Sequence, residues 1–353
     1  MRAAVYHGSG DVRMQDVPDA KVEEPTDVVV RMMTASMCGS DLYLYGGEVE
    51  DLVAPGRTTL GHEICAEVVE VGGGVGRFRV GDRVTFPYSV SCGTCFFCRE
   101  GQTAHCETSG KAIFGFGVAF GDLGGSQAEY VRVPLADSHL EHVPEDIDDE
   151  AALFLSCNLP AAVIAVEAAD IRPTDTVAVI GCGPTGLLAL QLAQQRTATQ
   201  VLALDKVGFR LGRAGELGAR AVDVATDPVD QVVADATQGR GVDKVIEFVG
   251  RGEAFSTAVA ITRPGGTISG GGVYLEREHP VSLFDLYFKN LQVKLNGFAN
   301  AKTGQWRAMQ TIRNGVIDPR SVVTHRVHLE EFPAAAASFA AREEGFLKMV
   351  IRP

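Results

Sequence analysis

One tryptophan stands in a chain of 353 residues, and no cluster of lysine or arginine interrupts a net charge of -13. So acidic a surface repels polyanions, so nucleic acid and anionic membrane are not expected partners; a small molecule is. Long apolar runs are missing as well. No window reaches the roughly 18 uninterrupted apolar residues of a membrane span. The opening MRAAVYHGSGDVRMQDVPD has no apolar core of signal-peptide length behind Arg2. A cytoplasmic protein is the expectation. Low-complexity tracts and internal repeats are absent, and 46% hydrophobic with 22% charged residues is the composition of a folded globular chain. Cysteine is not scarce: the chain has eight. In a reducing compartment they argue for a metal site or a catalytic thiol rather than for disulfides.

A chain this long exceeds one ordinary core, so two domains are expected. Before about residue 150, the short runs DVVVRMMTA, EICAEVVEVG, GDRVTFPYSV and GSQAEYVRVP are broken by Gly and Pro, which predicts a β-rich domain. The text then turns Ala-rich and helical. After it, TVAVIG, TGLLALQLAQQ, QVLALD, VDKVIEFVG and GGTISGGG alternate strand with helix, the pattern of a doubly wound α/β parallel sheet with helices on both faces. Beyond residue 298 the character is mixed, and EEGFLKMVIRP is expected to return a strand to the first domain. The expected boundaries are 1–156, 157–298 and 299–353.

Half the cysteines crowd into CGTCFFCREGQTAHC, residues 92–106. Cys92, Cys95, Cys98 and Cys106 have C-x2-C-x2-C-x7-C spacing, in which short spacers present thiolates from several directions and the longer loop closes a fourth corner. Zinc is the expected ion. The ferredoxin run has a three-residue last spacer followed by Pro, whereas here the spacer is seven and Glu107 follows. Four unligated thiols would be an oxidation liability. A closed four-cysteine site has no open position, so this lobe is expected to stabilise rather than catalyse.

Two other motifs carry ligand types: MCGSD with Cys38, and LGHEIC with His62 and Glu63. Alone, each reads equally well as core cysteine or structural histidine. Joined to Cys157 in LFLSCNLP they make a Cys, His, Cys set with one open position, the set of a catalytic zinc. In TVAVIGCGPTGLLALQLA, the loop Gly181, Gly183, Pro184, Thr185 and Gly186 lies between an apolar strand and a helix. That context makes it a pyrophosphate seat. Asp205 follows 19 residues after Gly186, placed either to accept from the adenosine ribose or as a strand-end turn residue. Its charge favours NAD over NADP, tempered by Lys206 and Arg210.

Cys38-Gly39-Ser40-Asp41, Gly61-His62-Glu63, the cysteine lobe, Cys157 and the glycine loop occur in the order of the zinc-dependent medium-chain dehydrogenases, and the chain resembles that family over essentially its whole length. It is most similar to bacterial formaldehyde-dehydrogenase-like alcohol dehydrogenases through EPTDVVVRM, GGSQAEYVRVPLAD, FKNL and VVTHRV. The resemblance implies a GroES-like catalytic domain split by a Rossmann NAD-binding domain. It implies two zinc ions per chain, one catalytic and one structural. Cys38, His62 and Cys157 become catalytic-zinc ligands, with Glu63 an occasional one, although many relatives have Asp where Cys157 stands. Asp41 becomes the carboxylate that orients His62, Ser40 the first proton relay, Tyr88 a substrate-pocket aromatic, and Lys348 a cation near the cofactor phosphates. The implied reaction is hydride transfer between an alcohol or carbonyl and nicotinamide, in a homotetramer or homodimer joined by sheet extension. A hydrophobic cleft near Tyr88, Phe116 and Phe120 is expected at the domain boundary.

Three departures bear on the substrate. The second relay position holds Tyr43 instead of His, and a phenol is a poorer base than imidazole at neutral pH. After Cys157, Ala161-Ala162-Val163 replaces a Thr-Gly-aromatic stretch, and Ala66 replaces a Gly. These leave room for a specialised reductase of an iminium or conjugated carbonyl. A non-catalytic dinucleotide-binding protein would leave the open metal set without purpose.

Overall fold

The computed structural model describes residues 1–197 and 199–353. The chain folds into two compact units, one formed by Met1–Pro160 with Asn300–Pro353 and the other by Ala161–Ala299. In chain order the first unit contributes β1 (Arg2–Gly8), β2 (Asp11–Asp16), β3 (Val28–Ser36), β4 (Glu63–Val71), β5 (Arg83–Thr85), β6 (Tyr130–Val133) and β7 (Glu141–His142). The second contributes β8 (Val177–Ile180), β9 (Val201–Asp205), β10 (Arg220–Asp223), β11 (Val242–Glu247), β12 (Thr262–Gly270) and β13 (Gln292–Leu295). The returning segment adds β14 (His325–His328) and β15 (Met349–Arg352) to the first unit.

In the first unit β1 and β2 form an antiparallel pair, and the main sheet runs β14-β15-β3-β4-β5-β7 with β6 also on β3. The β-branched start of β3, Val28–Val30, suits a pleated and buried surface. Met32, Ile64, Val84, Phe86 and Phe114 belong to the core beneath this sheet. Antiparallel pairing of β3 with β4 sets Ser36 opposite Glu63. That register brings the exit of one strand and the entry of the other to the same end, which positions the site.

The second unit is a six-stranded parallel sheet in the order β10-β9-β8-β11-β12-β13. Every residue of β8, β9 and β11 is buried, as a sheet covered on both faces requires. The crossovers include helices Pro184–Gln194, Gly208–Glu216, Val229–Thr237 and Gly252–Ile261. This is the doubly wound sheet the alternation predicts, with its order reversing between β8 and β11. At the opposite edge, all four residues of β13 are exposed. Among the described residues, no helix is long and apolar enough to cross a membrane.

Candidate metal centre and cofactor loop

Cys38 lies just past β3 and His62 just before β4, so the register of those strands makes them neighbours. Cys157 arrives from elsewhere: Ser156 Oγ takes the Ile64 amide at 3.0 Å and donates to the Ile64 carbonyl at 2.8 Å, tying this segment to β4. The ligand atoms of Cys38, His62, Glu63 and Cys157 lie within 4.8 Å of one another. Asp41 caps the arrangement. Its Oδ2 accepts the Cys38 amide at 2.8 Å, and its Oδ1 is 3.1 Å from His62 Nδ1, which leaves Nε2 as the ring's ligand atom.

The donor chemistry fits zinc. With Zn–S bonds of about 2.3 Å, a tetrahedral ion sets its sulfurs about 3.8 Å apart. Cys38 Sγ and Cys157 Sγ are 3.9 Å apart, as are Cys95 Sγ and Cys106 Sγ in the lobe. All eight cysteines are free, so neither pair is a disulfide. Glu63 Oε1 is buried and accepts no hydrogen bond, an orphaned oxygen beside the thiols. Cys157 holds the Cys38 thiol well below its ordinary pKa against burial, and His62 adds to that pull. Burial opposes protonation of His62, yet Asp41 and Cys38 hold it well above its ordinary value. Burial raises the Glu63 carboxyl to about 7, with Lys348 pulling the other way. The cluster gathers thiol, imidazole and carboxyl donors out of water, a set that suits a dication.

In the lobe, Cys98 and Cys106 are buried and Cys92 and Cys95 half-buried. The amides of Thr94 and Cys95 point at Cys92 Sγ, at 3.4 and 3.3 Å. All four sulfurs also fall within 4.8 Å of one another.

Around the first cluster, the ring of Phe116 lies 5.5 Å from that of His62 and the ring of Tyr88 6.0 Å. Tyr88 shares an apolar cluster with Ile113, Phe116, Phe120 and Cys157. Ser40 precedes the short helix Asp41–Tyr45 without capping it through its side chain, and the Tyr43 amide donates to the Ser40 carbonyl at 3.2 Å.

In the second unit Gly181 takes φ 91° at the end of β8, and a Cβ on Gly186 would stand 1.8 Å from the Gly181 carbonyl oxygen. No other residue fits that crossing. Gly183 and Pro184 start the helix Pro184–Gln194, whose first turn contains Thr185. Asp205 ends β9 with its carboxylate turned to the loop: Oδ2 accepts the Cys182 amide at 2.7 Å, and Oδ1 the amides of Lys206 and Val207 at 2.7 and 2.9 Å. Arg210 Nη1 lies 4.0 Å from where a Gly183 Cβ would be, and Lys206 is exposed.

Lys348, expected as a cation near the cofactor phosphates, belongs to the first unit. It is buried there, donating to Glu63 Oε2 and to the Met37 carbonyl. Those partners compensate the enclosed ammonium. Asn158 was not anticipated: it is buried, with Nδ2 3.9 Å from Cys38 Sγ. Its only signal in the sequence is adjacency to Cys157.

Residues 24–145 match the family model of the alcohol dehydrogenase GroES-like domain, and residues 184–313 that of the zinc-binding dehydrogenase. A probable zinc-binding alcohol dehydrogenase of Mycobacterium tuberculosis is 36% identical over 100% of this chain and 89% of its own. The chain belongs to the zinc-dependent alcohol dehydrogenase family. A medium chain reductase/dehydrogenase of an Acremonium species is 38% identical over 78% of this chain and 94% of its own. An alcohol dehydrogenase from Thermus sp. ATN1 superposes with a TM-score of 0.93 at 35% identity, covering 100% of this chain and 99% of that one. This alcohol dehydrogenase is thus an oxidoreductase, with a GroES-like unit and a Rossmann-like parallel sheet.

Proposed function

We propose that this alcohol dehydrogenase is an NAD-linked cytoplasmic enzyme that interconverts a small alcohol and its aldehyde or ketone, using one catalytic and one structural zinc per chain. The convergence of Cys38, His62, Glu63 and Cys157 on one buried point carries the reading. In it, Cys38, His62 and Cys157 hold the catalytic ion and leave one position open, with Glu63 an alternate ligand. Zinc supplies positive charge that acidifies a hydroxyl or polarises a carbonyl. Asp41 holds the His62 tautomer, Ser40 takes the hydroxyl proton, and Tyr43, three residues on, continues the path toward solvent. Tyr88 and Phe116 form an apolar wall that selects the carbon skeleton and excludes water. Cys92, Cys95, Cys98 and Cys106 hold the second ion in a closed shell.

Gly181, Gly183, Pro184, Thr185 and Gly186 seat the pyrophosphate on the helix N-terminus. A carboxylate has about four lone-pair sites. Three amides occupy Asp205, so one site is left for a ribose hydroxyl, while a ribose phosphate meets its charge. Arg210 and Lys206 soften that rejection. The exposed edge strand β13 and the exposed Leu283, Phe284, Tyr287 and Phe288 beside it support a homo-oligomer, dimer or tetramer, built by sheet extension.

The test is NADH absorbance with zinc-replete protein and a panel of primary, secondary and aromatic alcohols and their carbonyls. Chelator-sensitive oxidation is expected. Silence in both directions, with two zincs and cofactor bound, would replace this reading by a specialised reductase for which Tyr43 is the sequence signal.

A further inference from the structure

At the carboxyl end of β11, Glu247 is fully buried and its carboxylate joins the strand exits. Oε1 accepts the amides of Val249 at 2.5 Å and Gly250 at 2.9 Å, and Oε2 accepts the Tyr274 phenol at 2.5 Å. The first two bonds fold the chain into a turn directly after the strand. The third reaches across to the chain leaving β12. Burial raises the Glu247 carboxyl, with Tyr274 and the two amides opposing. Such a desolvated acid costs stability unless its donors are kept in place.

The turn that Glu247 holds is a wall of the glycine loop. The Phe248 amide donates to the Ile180 carbonyl at 2.8 Å. A Cβ on Gly181 would stand 2.9 Å from Val249 Cγ2 and 3.1 Å from the Val249 nitrogen. On the far side, a Cβ on Gly272 would meet the Gly250 nitrogen at 2.3 Å and Glu247 Oε2 at 3.0 Å. The exits of β8, β11 and β12 thus pack backbone to backbone around one carboxylate, where the strand order reverses and doubly wound sheets bind ligands. Of the two mononucleotide halves of the sheet, β8–β10 has the glycine loop and Asp205. The half formed by β11–β13 is left for the nicotinamide nucleotide.

We infer that Glu247 and Tyr274 are positioning residues for the nicotinamide half of the cofactor, fixing the exits of β11 and β12 before it arrives. Neither touches substrate. What they hold still is the surface on which Val249 and Val273 are exposed, at 40% and 37%. Preformed, that surface needs no ordering when the ring lands on it, and binding is tighter by the ordering cost avoided. The inference rests on the dinucleotide reading given above.

The test is calorimetric titration of NADH and of ADP-ribose, which lacks the nicotinamide ring, into the wild-type protein and the variants Y274F, E247A and E247Q, with melting temperatures recorded. NADH Kd is expected to rise about tenfold in Y274F, the effect of one buried hydrogen bond lost, and at least as much in E247A, which loses three. ADP-ribose Kd should stay within about twofold, since it lacks the ring that lands on this surface. E247Q keeps an oxygen for the two amides and an NH2 for the Tyr274 oxygen, so it should bind nearly as the wild type does. Equal losses for both ligands, or no loss in Y274F, would overturn the inference. If E247A does not fold, Y274F and E247Q decide it. A wild type that binds neither ligand would instead remove the dinucleotide reading, which is a different result from a wild type that binds both while its variants match it.

Discussion

Lys348 Nζ donates to Glu63 Oε2 with both side chains 1% exposed. The pair exists because Lys348 immediately precedes β15, which lies between β14 and β3, while Glu63 opens β4 on the other side of β3. The two charges cancel inside the first unit, next to the thiols of Cys38 and Cys157. Removing the ammonium alone strands a buried carboxylate. K348M is therefore expected to lose about 3–5 kcal/mol, and E63Q/K348M to recover most of it. Melting temperatures in a double-mutant cycle check this; a single variant as stable as the double would contradict it.

The cysteine lobe should behave as a structural metal site. C98S is expected to bring zinc content from two ions per chain to one while NADH binding persists. Its melting temperature should fall by about 10 °C, if the ion contributes a few kcal/mol at about 2–4 °C per kcal/mol. Elemental analysis alongside a thermal scan measures both. Unchanged zinc content in C98S would show that the lobe holds none.

At Asp205 the charge and the hydrogen bonds can be separated. D205N keeps an acceptor for Lys206 and Val207 but removes the repulsion of a ribose phosphate. The NADP to NAD ratio of kcat/KM is expected to rise about 10- to 100-fold, the equivalent of about 1.4–2.8 kcal/mol. NAD affinity should fall at the same time, because the new amide nitrogen faces the Cys182 amide. Initial rates with both cofactors decide; an unaltered ratio would assign discrimination elsewhere.

Local patterns were the legible ones. Cys92 to Cys106 sit within one short loop, and β8, the glycine loop, its helix and Asp205 follow one another along the chain, so spacing alone announces them. The first cluster was legible as ligand types in separate motifs, but its meeting was not, since Cys38, His62 and Cys157 come together through the β3–β4 register and the Ser156 bonds to Ile64. The pairing of Lys348 with Glu63 was not legible for the same reason, since it appears only once β15 is seen inside the sheet. Glu247 ends an apolar run as an ordinary strand-end acid would. Nothing local says that Tyr274 returns to it.

Glu150 links the helix Asp149–Leu153 to β14 and β15. Arg326 reaches its two oxygens at 2.8 and 2.7 Å, and Arg352 reaches Oε1 at 2.6 Å. Arg326 holds the carboxyl below its ordinary range, burial opposing and Arg352 adding. A depressed folded-state pKa gives stability that is complete above the unfolded value of about 4.3 and is lost as pH falls through the folded value. E150Q should thus melt below the wild type at neutral pH, with the gap closing below about pH 4. A gap that stays constant with pH would contradict the assignment.

The central claim is that Cys38, His62 and Cys157 hold the zinc on which turnover depends. Zinc content and NAD-linked alcohol oxidation, measured side by side in the wild type and C38S, test it directly. The account predicts two zincs and chelator-sensitive oxidation in the wild type, and one zinc with no oxidation in C38S. A C38S protein with both zincs and undiminished turnover would contradict it.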